Sequence, residues 1–182
     1  MSDKYSILAV DDEPFNLDLI EASFIDYDNV QITNATNGQE ALNYLSSMSF
    51  DVVLLDISMP GMDGLEVLKH IRSDEKLAQL PVLMVTANTE KERESIQLGA
   101  SDFISKPYDI EILCARTINY AKMNSYHKQI KNQKQTLEVQ VAQRTAQLQI
   151  ALDLAKQTEY EISIRLGRAS EFRDLETGGH IK

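Results

Sequence analysis

Four apolar runs within residues 1–110 end in side chains able to act on a charged ligand. Ile7-Leu8-Ala9-Val10 leads into Asp11-Asp12, and Val52-Val53-Leu54-Leu55 leads into Asp56. Val82-Leu83-Met84-Val85 leads into Thr86, and the shorter Phe103-Ile104 runs through Ser105 to Lys106. Three carboxylates, a hydroxyl and an ammonium are parts for holding a divalent cation beside a phosphoryl group. A carboxylate can itself accept that group as an acyl phosphate. Phosphoryl transfer is mostly positioning plus charge stabilisation, so a metal and a fixed cation are expected around the acceptor. Asp56, at the end of the middle run, is the candidate acceptor.

The elements that must position these residues alternate along the chain. Short apolar runs separated by helical patterns argue for βαβ units and a parallel sheet buried on both faces. In such sheets ligands bind beyond the carboxyl ends of the strands, which is where the four tips would meet. Pro14 opens a helix with Leu17, Ile20, Phe24 and Ile25 on its apolar face. Val30–Thr33 reads as a short strand, and Asn37-Gly38 turns into a helix bearing Ala41, Leu42 and Leu45. After Asp56, the loop Met59-Pro60-Gly61-Met62-Asp63-Gly64 is rich in turn formers; a helix with Leu65, Leu68 and Ile71 follows. Thr89 with Glu92 reads as a capping box for the next helix, Gly99 stops it, and Phe103–Ser105 is the fifth strand. Five β/α repeats give a three-layer α/β sandwich.

Charge divides the chain at the same place as pattern. Residues 1–108 carry 19 Asp/Glu against 7 Lys/Arg, whereas 109–182 carry 9 against 11. An acidic first part lacks the basic side chains that phosphate contacts with nucleic acid need, and the remainder has no dense basic stretch. No direct nucleic-acid binding is expected. Cys114 is the only cysteine, which fits a reducing compartment. No apolar stretch approaches the roughly 20 residues of a membrane helix, and Met1-Ser2-Asp3-Lys4 leaves no room for a signal peptide before the first strand. A cytoplasmic protein without membrane contact is the expectation.

From Asp109 onward helix formers dominate; no proline follows Pro107 and the first glycine is Gly167. Met123, Ile130, Leu137 and Val141 recur with the spacing of a seven-residue seam. Leu148, Leu152, Ala155, Ile162, Leu166 and Ala169 continue it in a shifted register. The steps from Val141 through Arg144, Leu148 and Leu152 to Ala155 are three, four, four and three, a stutter that locally unwinds a supercoil. A helix this long needs a partner for its stripe, so a parallel two-helix coil, hence a homodimer, is expected rather than a lone amphipathic helix on another domain. His127 and Lys134 at seam positions point to a loose or splayed first half.

Together, Asp11-Asp12, the string Leu54-Leu55-Asp56-Ile57-Ser58-Met59-Pro60-Gly61-Met62-Asp63-Gly64, Val85-Thr86-Ala87 and Ser105-Lys106-Pro107 resemble a response-regulator receiver domain over roughly residues 4–122. The resemblance implies a five-stranded, doubly wound, flavodoxin-like α/β fold and a phosphoacceptor module of two-component signalling. It implies that Asp12 and Asp56 ligate Mg²⁺ directly, Asp11 through water, and Ser58 through its backbone carbonyl. Lys106 would pair with the phosphoryl oxygens and the Lys106-Pro107 bond could be cis. Thr86 would hydrogen-bond the phosphoryl group, and Phe103 would be the aromatic switch that turns inward as Thr86 moves. The implied phosphodonor is a sensor histidine kinase or a small phosphodonor. Singly, each residue has an ordinary reading: Asp11 or Asp12 as a helix cap, Thr86 as a turn residue, Lys106 as a solvated charge, Phe103 as core. Jointly, those readings leave three carboxylates crowded at one sheet edge with no cation.

The last stretch, with Arg173-Asp174-Leu175-Glu176-Thr177-Gly178-Gly179-His180, resembles the opening of an HD-GYP domain, a class of metal-dependent cyclic di-GMP phosphodiesterases. Glu176 and His180, four apart, match residues that are metal ligands in some members. The His-Asp pair and Gly-Tyr-Pro segment that name that family are absent, so within this chain the two residues read as a solvated terminus. The expected organisation is a receiver at 1–122, a coiled-coil linker at 123–167 and a truncated output domain at 168–182. Competing outputs are a histidine kinase or a nucleotide cyclase; a phosphorylation-independent dimeric adaptor is the competing role.

Overall fold

The computed structural model describes the backbone of residues 4–87 and 89–177, with side chains described at 4–87 and 91–168. Strands and helices alternate: β1 (Tyr5–Val10), α1 (Pro14–Ser23), β2 (Val30–Ala35), α2 (Gly38–Ser47), β3 (Val52–Asp56), α3 (Gly64–Ser73), β4 (Val82–Thr86), α4 (Thr89–Gln97), β5 (Asp102–Ser105) and α5 (Ile110–Thr177). The strands form one parallel sheet in the order β2-β1-β3-β4-β5. This is the flavodoxin-like doubly wound fold, followed by a long helix.

Side-chain parity splits the core in two. Because successive strand residues face opposite sides, Leu8, Val10, Val53, Leu55, Val82 and Met84 pack with Ala41 and Leu45 of α2 and with Leu65, Leu68 and Ile71 of α3. Ile7, Ala9, Val52, Leu54, Leu83 and Ile104 pack on the other face with Leu17 and Ile20 of α1 and with Leu113, Cys114 and Ala121 of α5. β3 is buried along its whole length. Like β4, which is equally buried, it is a well-held place from which to present a side chain.

Local chemistry sets the helix ends. Asn37 accepts from Glu40 N at 2.9 Å at the start of α2. Asp63 and Glu66 form a reciprocal capping box on α3, a signal the sequence reading passed over in Asp63-Gly64-Leu65-Glu66. Gly99 takes φ +94° just after α4, a conformation that other residues adopt only at a cost. One expectation is corrected. Ile25 is 80% exposed rather than part of the α1 face, because the helix ends at Ser23 and the chain turns away. The Thr89 side chain of the expected capping box lies outside the described residues; Glu92 Oε1 accepts from Ser105 Oγ at 2.6 Å, a bond between α4 and the end of β5.

The chain divides into two units, Met1–Gln129 and Ile130–Lys182. In the first, α5 is docked by Leu113, Cys114, Thr117 and Ala121, all buried. In the second, every described side chain is exposed, including Leu137, Val141, Leu148, Leu152, Ile162 and Leu166. Among the described residues no helix is long and apolar enough to cross a membrane.

Cys114 reports on the docking of α5. Its thiol is 2% exposed and donates to Ser23 O at 3.3 Å, and burial pushes its pKa up. Since the thiolate is the reactive form, Ellman's reagent at about pH 8 should modify native Cys114 about a hundredfold or more slowly than the urea-unfolded chain. Equal rates would show that α5 does not pack on α1 in solution.

Candidate functional site

Strand order reverses between β1 and β3: one neighbouring connection runs outward to β2, the other to β4 and β5. At such a switch point the loops leave in opposite directions and open a crevice at the carboxyl ends. Asp11 follows β1 and Asp56 ends β3, so one carboxylate stands on each side of that crevice. Lys106 follows β5, two strands away. Its backbone is fixed by the bond from Lys106 N to Thr86 O at 2.7 Å, and the Lys106-Pro107 peptide is cis.

The three side chains meet. Lys106 Nζ donates to Asp11 Oδ2 at 2.9 Å and to Asp56 Oδ1 at 2.8 Å. Both carboxylates are nearly buried, while the lysine is a quarter exposed. Burial alone would lower the lysine pKa; the hydrogen bonds and charges of Asp56 and Asp11 outweigh it and raise the value. The ammonium is therefore held charged. Tyr108, half-buried two residues on, has its pKa raised by burial and by the nearby Asp11 and Asp56, against the opposing pull of Lys106.

Each acid is oriented by further bonds. Asp56 Oδ2 accepts from Ser58 N at 2.6 Å. Asp11 Oδ1 accepts from Glu13 N and from Asn16 Nδ2, both at 2.9 Å, and Asn16 also reaches Oδ2 at 3.1 Å. Asn16 was not singled out from the sequence, although its place in the first turn of α1, five residues after Asp11, puts its amide within reach of the strand end. Gly64 was also missed as a site residue. Its amide donates to Ile57 O at 3.0 Å, and an added Cβ would collide with the Asp56 carbonyl oxygen and come within 2.9 Å of Ile57 Cα.

The remaining expected residues surround this trio. Asp12 is half-exposed and Ser58 exposed; Thr86, at the end of β4, is 2% exposed. Phe103 is half-buried and packs against the core face shared with α2 and α3. The side chains of Glu176 and His180 lie outside the described residues. Among the described residues no three His, Cys, Asp or Glu side chains are gathered as a metal cage; the convergence is of two carboxylates on one cation. That donor set still suits Mg²⁺, which takes oxygen ligands, needs only one or two protein carboxylates, and completes its shell with water and phosphoryl oxygens.

Comparison with known proteins agrees with this geometry. The response regulator receiver domain model matches residues 7–118. A Vibrio cholerae protein named as a probable cyclic di-GMP phosphodiesterase is 33% identical over 178 residues, 97% of this chain and 38% of that protein. The chain thus spans little more than a third of that relative's length. Chemotaxis protein CheY4 of Vibrio cholerae superposes with a TM-score of 0.60 at 30% identity, covering 64% of this chain and 98% of CheY4. A receiver domain from a Pseudomonas aeruginosa PAO1 sensor histidine kinase, solved with magnesium coordinated in its active-site cleft, gives 0.60 at 27% identity, over 65% and 98% of the two chains.

The close approach at Gly64 yields a measurable consequence. Gly64→Ala should lower unfolding stability by about 1–3 kcal/mol, the range for forced overpacking, as read from urea denaturation. A variant as stable as the parent would show that α3 does not press on the acceptor strand as described.

Proposed function

This chain belongs to the response regulator receiver family, and on that premise we propose that Asp56 is its phosphoryl acceptor. The observation that carries the reading is the Lys106 ammonium held between Asp11 and Asp56. It marks the crevice as a place that concentrates negative charge and neutralises it with a fixed cation, as phosphoryl transfer requires.

In the proposed reaction a carboxylate oxygen of Asp56 attacks the phosphorus of a phosphohistidine on a sensor histidine kinase, or of a small phosphodonor. The new P–O bond forms as the bond to the donor breaks, and the leaving group takes the electron pair. Asp11, Asp12, Asp56 and the Ser58 carbonyl would hold Mg²⁺, which supplies charge neutralisation for the phosphoryl oxygens. Lys106 pairs with those oxygens once the group has arrived, and Asn16 keeps Asp11 aimed into the crevice. The buried Thr86 hydroxyl hydrogen-bonds the phosphoryl group, and Phe103 follows Thr86 inward. Asp56→Asn should abolish Mg²⁺-dependent labelling by acetyl phosphate, and Lys106→Ala should slow it at least about tenfold. Retained labelling of Asp56→Asn would reassign the acceptor.

The output reading rests on the Vibrio cholerae relative. Its similarity covers 97% of this chain, so it extends well beyond the receiver, through α5 and into the segment that resembles an HD-GYP opening. We infer that the receiver acts on a cyclic di-GMP phosphodiesterase through a dimeric helix. The exposed seam of Leu137, Val141, Leu148 and Leu152 supports pairing with a second copy. Light scattering should give twice the mass of the 20.6 kDa chain. Leu137→Glu with Leu148→Glu should return it to a monomer, and a monomeric parent would remove the coil.

A further inference from the structure

A second lysine–carboxylate contact lies at the amino-terminal edge of the sheet, the end remote from Lys106. Asp51 immediately precedes β3. Its amide donates to Ser6 O at 2.7 Å and its Oδ2 accepts from Ser6 N at 3.0 Å, so β1 fixes both its backbone and its side chain. The other oxygen, Oδ1, accepts from Lys128 Nζ at 2.8 Å, and the same ammonium donates to Phe50 O at 2.8 Å. One helical turn earlier, Asn124 Nδ2 donates to Asp51 O at 2.9 Å. Phosphoryl transfer as described uses none of these groups.

Asn124 and Lys128 extend a stripe on α5. Leu113, Thr117 and Ala121 are buried against the sheet, and the spacing of three and four that links them runs on to 124 and 128, so all five share one helix face. The stripe changes character after Ala121: apolar contact ends and hydrogen bonds take over. Met123 and Tyr126, on other faces of the same turns, are 58% and 47% exposed. From residue 129 to 168 every side chain is exposed. The attachments of α5 described beyond Ala121, those of Asn124 and Lys128, are therefore polar.

That change has a physical consequence. Apolar burial is non-directional and tolerates a small rotation or slide. Hydrogen bonds weaken steeply when misaligned, and one residue of helix rotation is about 100°. Three short bonds from two side chains, with a fourth at 3.5 Å from Lys128 Nζ to Ser49 Oγ, to acceptors at the start of β3 favour one rotational setting. Lys128 is also unlike an ordinary surface ion pair, which contributes little, because its carboxylate partner is only 15% exposed and a backbone carbonyl shares the ammonium.

We propose that Asp51, Asn124 and Lys128 form a polar clamp that fixes where α5 leaves the sheet domain and which face of residues 122–128 turns outward. The clamp stands on geometry at the opposite end of β3 from Asp56 and does not depend on the phosphoacceptor reading.

Hydrogen–deuterium exchange followed by mass spectrometry on the full chain tests it. Lys128→Met keeps the aliphatic stem and removes the ammonium. Exchange across residues 119–129 should then rise about tenfold, the scale of a lost charge-assisted hydrogen bond. Peptides from β1 and β3 should keep their protection, and Asp56 labelling by acetyl phosphate should stay within about twofold. Asp51→Asn, which still accepts from Ser6 N, should shift the same peptides in the same direction. Unchanged exchange at 119–129 in a folded Lys128→Met protein would overturn the clamp. So would a rise spread evenly over the whole sheet, because Lys128 would then add general stability and set no exit.

Discussion

The constraint on which the rest depends is the sharing of one ammonium by two carboxylates at the mouth of a buried sheet. Oxygens 2.8 and 2.9 Å from the same Lys106 nitrogen lie no more than 5.7 Å apart. At an effective dielectric near 20, two unit charges at that separation repel by about 3 kcal/mol, whereas each contact with the lysine attracts by about 6 kcal/mol. The attraction wins the pairwise comparison. Desolvation of three ions then costs several kcal/mol apiece, which removes most of the advantage. A cluster with so small a net return is poor evidence of a device for stability. It is better understood as charge held in place for a ligand that alters the balance.

The topology places these charges with little local help. Asp11, Asp56 and Lys106 come from stretches 45 and 50 residues apart in the chain, and only the order β2-β1-β3-β4-β5 brings their ends together. Parallel strands all present their carboxyl ends on one side, so every strand-terminal residue arrives at the same rim. The central position of β3, buried along its whole length, then sets Asp56 in the middle of that rim, with Asp11 as deeply enclosed beside it. Gly64 sharpens that position by letting α3 start against the backbone of Asp56 and Ile57, an approach a side chain would block.

Much of this was legible in the chain because charged residues interrupt apolar runs abruptly. Asp11, Asp56, Thr86 and Lys106 are conspicuous as polar ends of strands, and the alternation of periods gives the doubly wound fold. What escaped was contact across elements. Asn16 sits in an unremarkable first turn, yet its amide orients Asp11 through space. Ser105 on β5 engages Glu92, a partner that no window on α4 contains. Ile25 fitted a helical period that the chain leaves at Ser23. The spacing of Asn124 and Lys128 continues the docked stripe, but their polarity concealed that the stripe still touches the sheet.

The same contrast between apolar and polar attachment distinguishes the helices. α1, α2, α3 and α5 each bury aliphatic side chains in a core face. α4 does not: within Thr89–Gln97 its one large apolar residue, Ile96, is 46% exposed, and its only buried residue among those described is Ser95. The apolar anchors lie just beyond it, where Leu98 and Ala100 pack at the core margin. The bond from Ser105 Oγ to Glu92 Oε1 then ties the helix to the residue adjoining Lys106. An element with so little apolar area in the core opens at lower free energy than its neighbours. α1 is joined to the charged trio through Asn16 and is also held by its aliphatic face. α4 is joined through Ser105, one peptide from Lys106, with little apolar packing of its own to hold it.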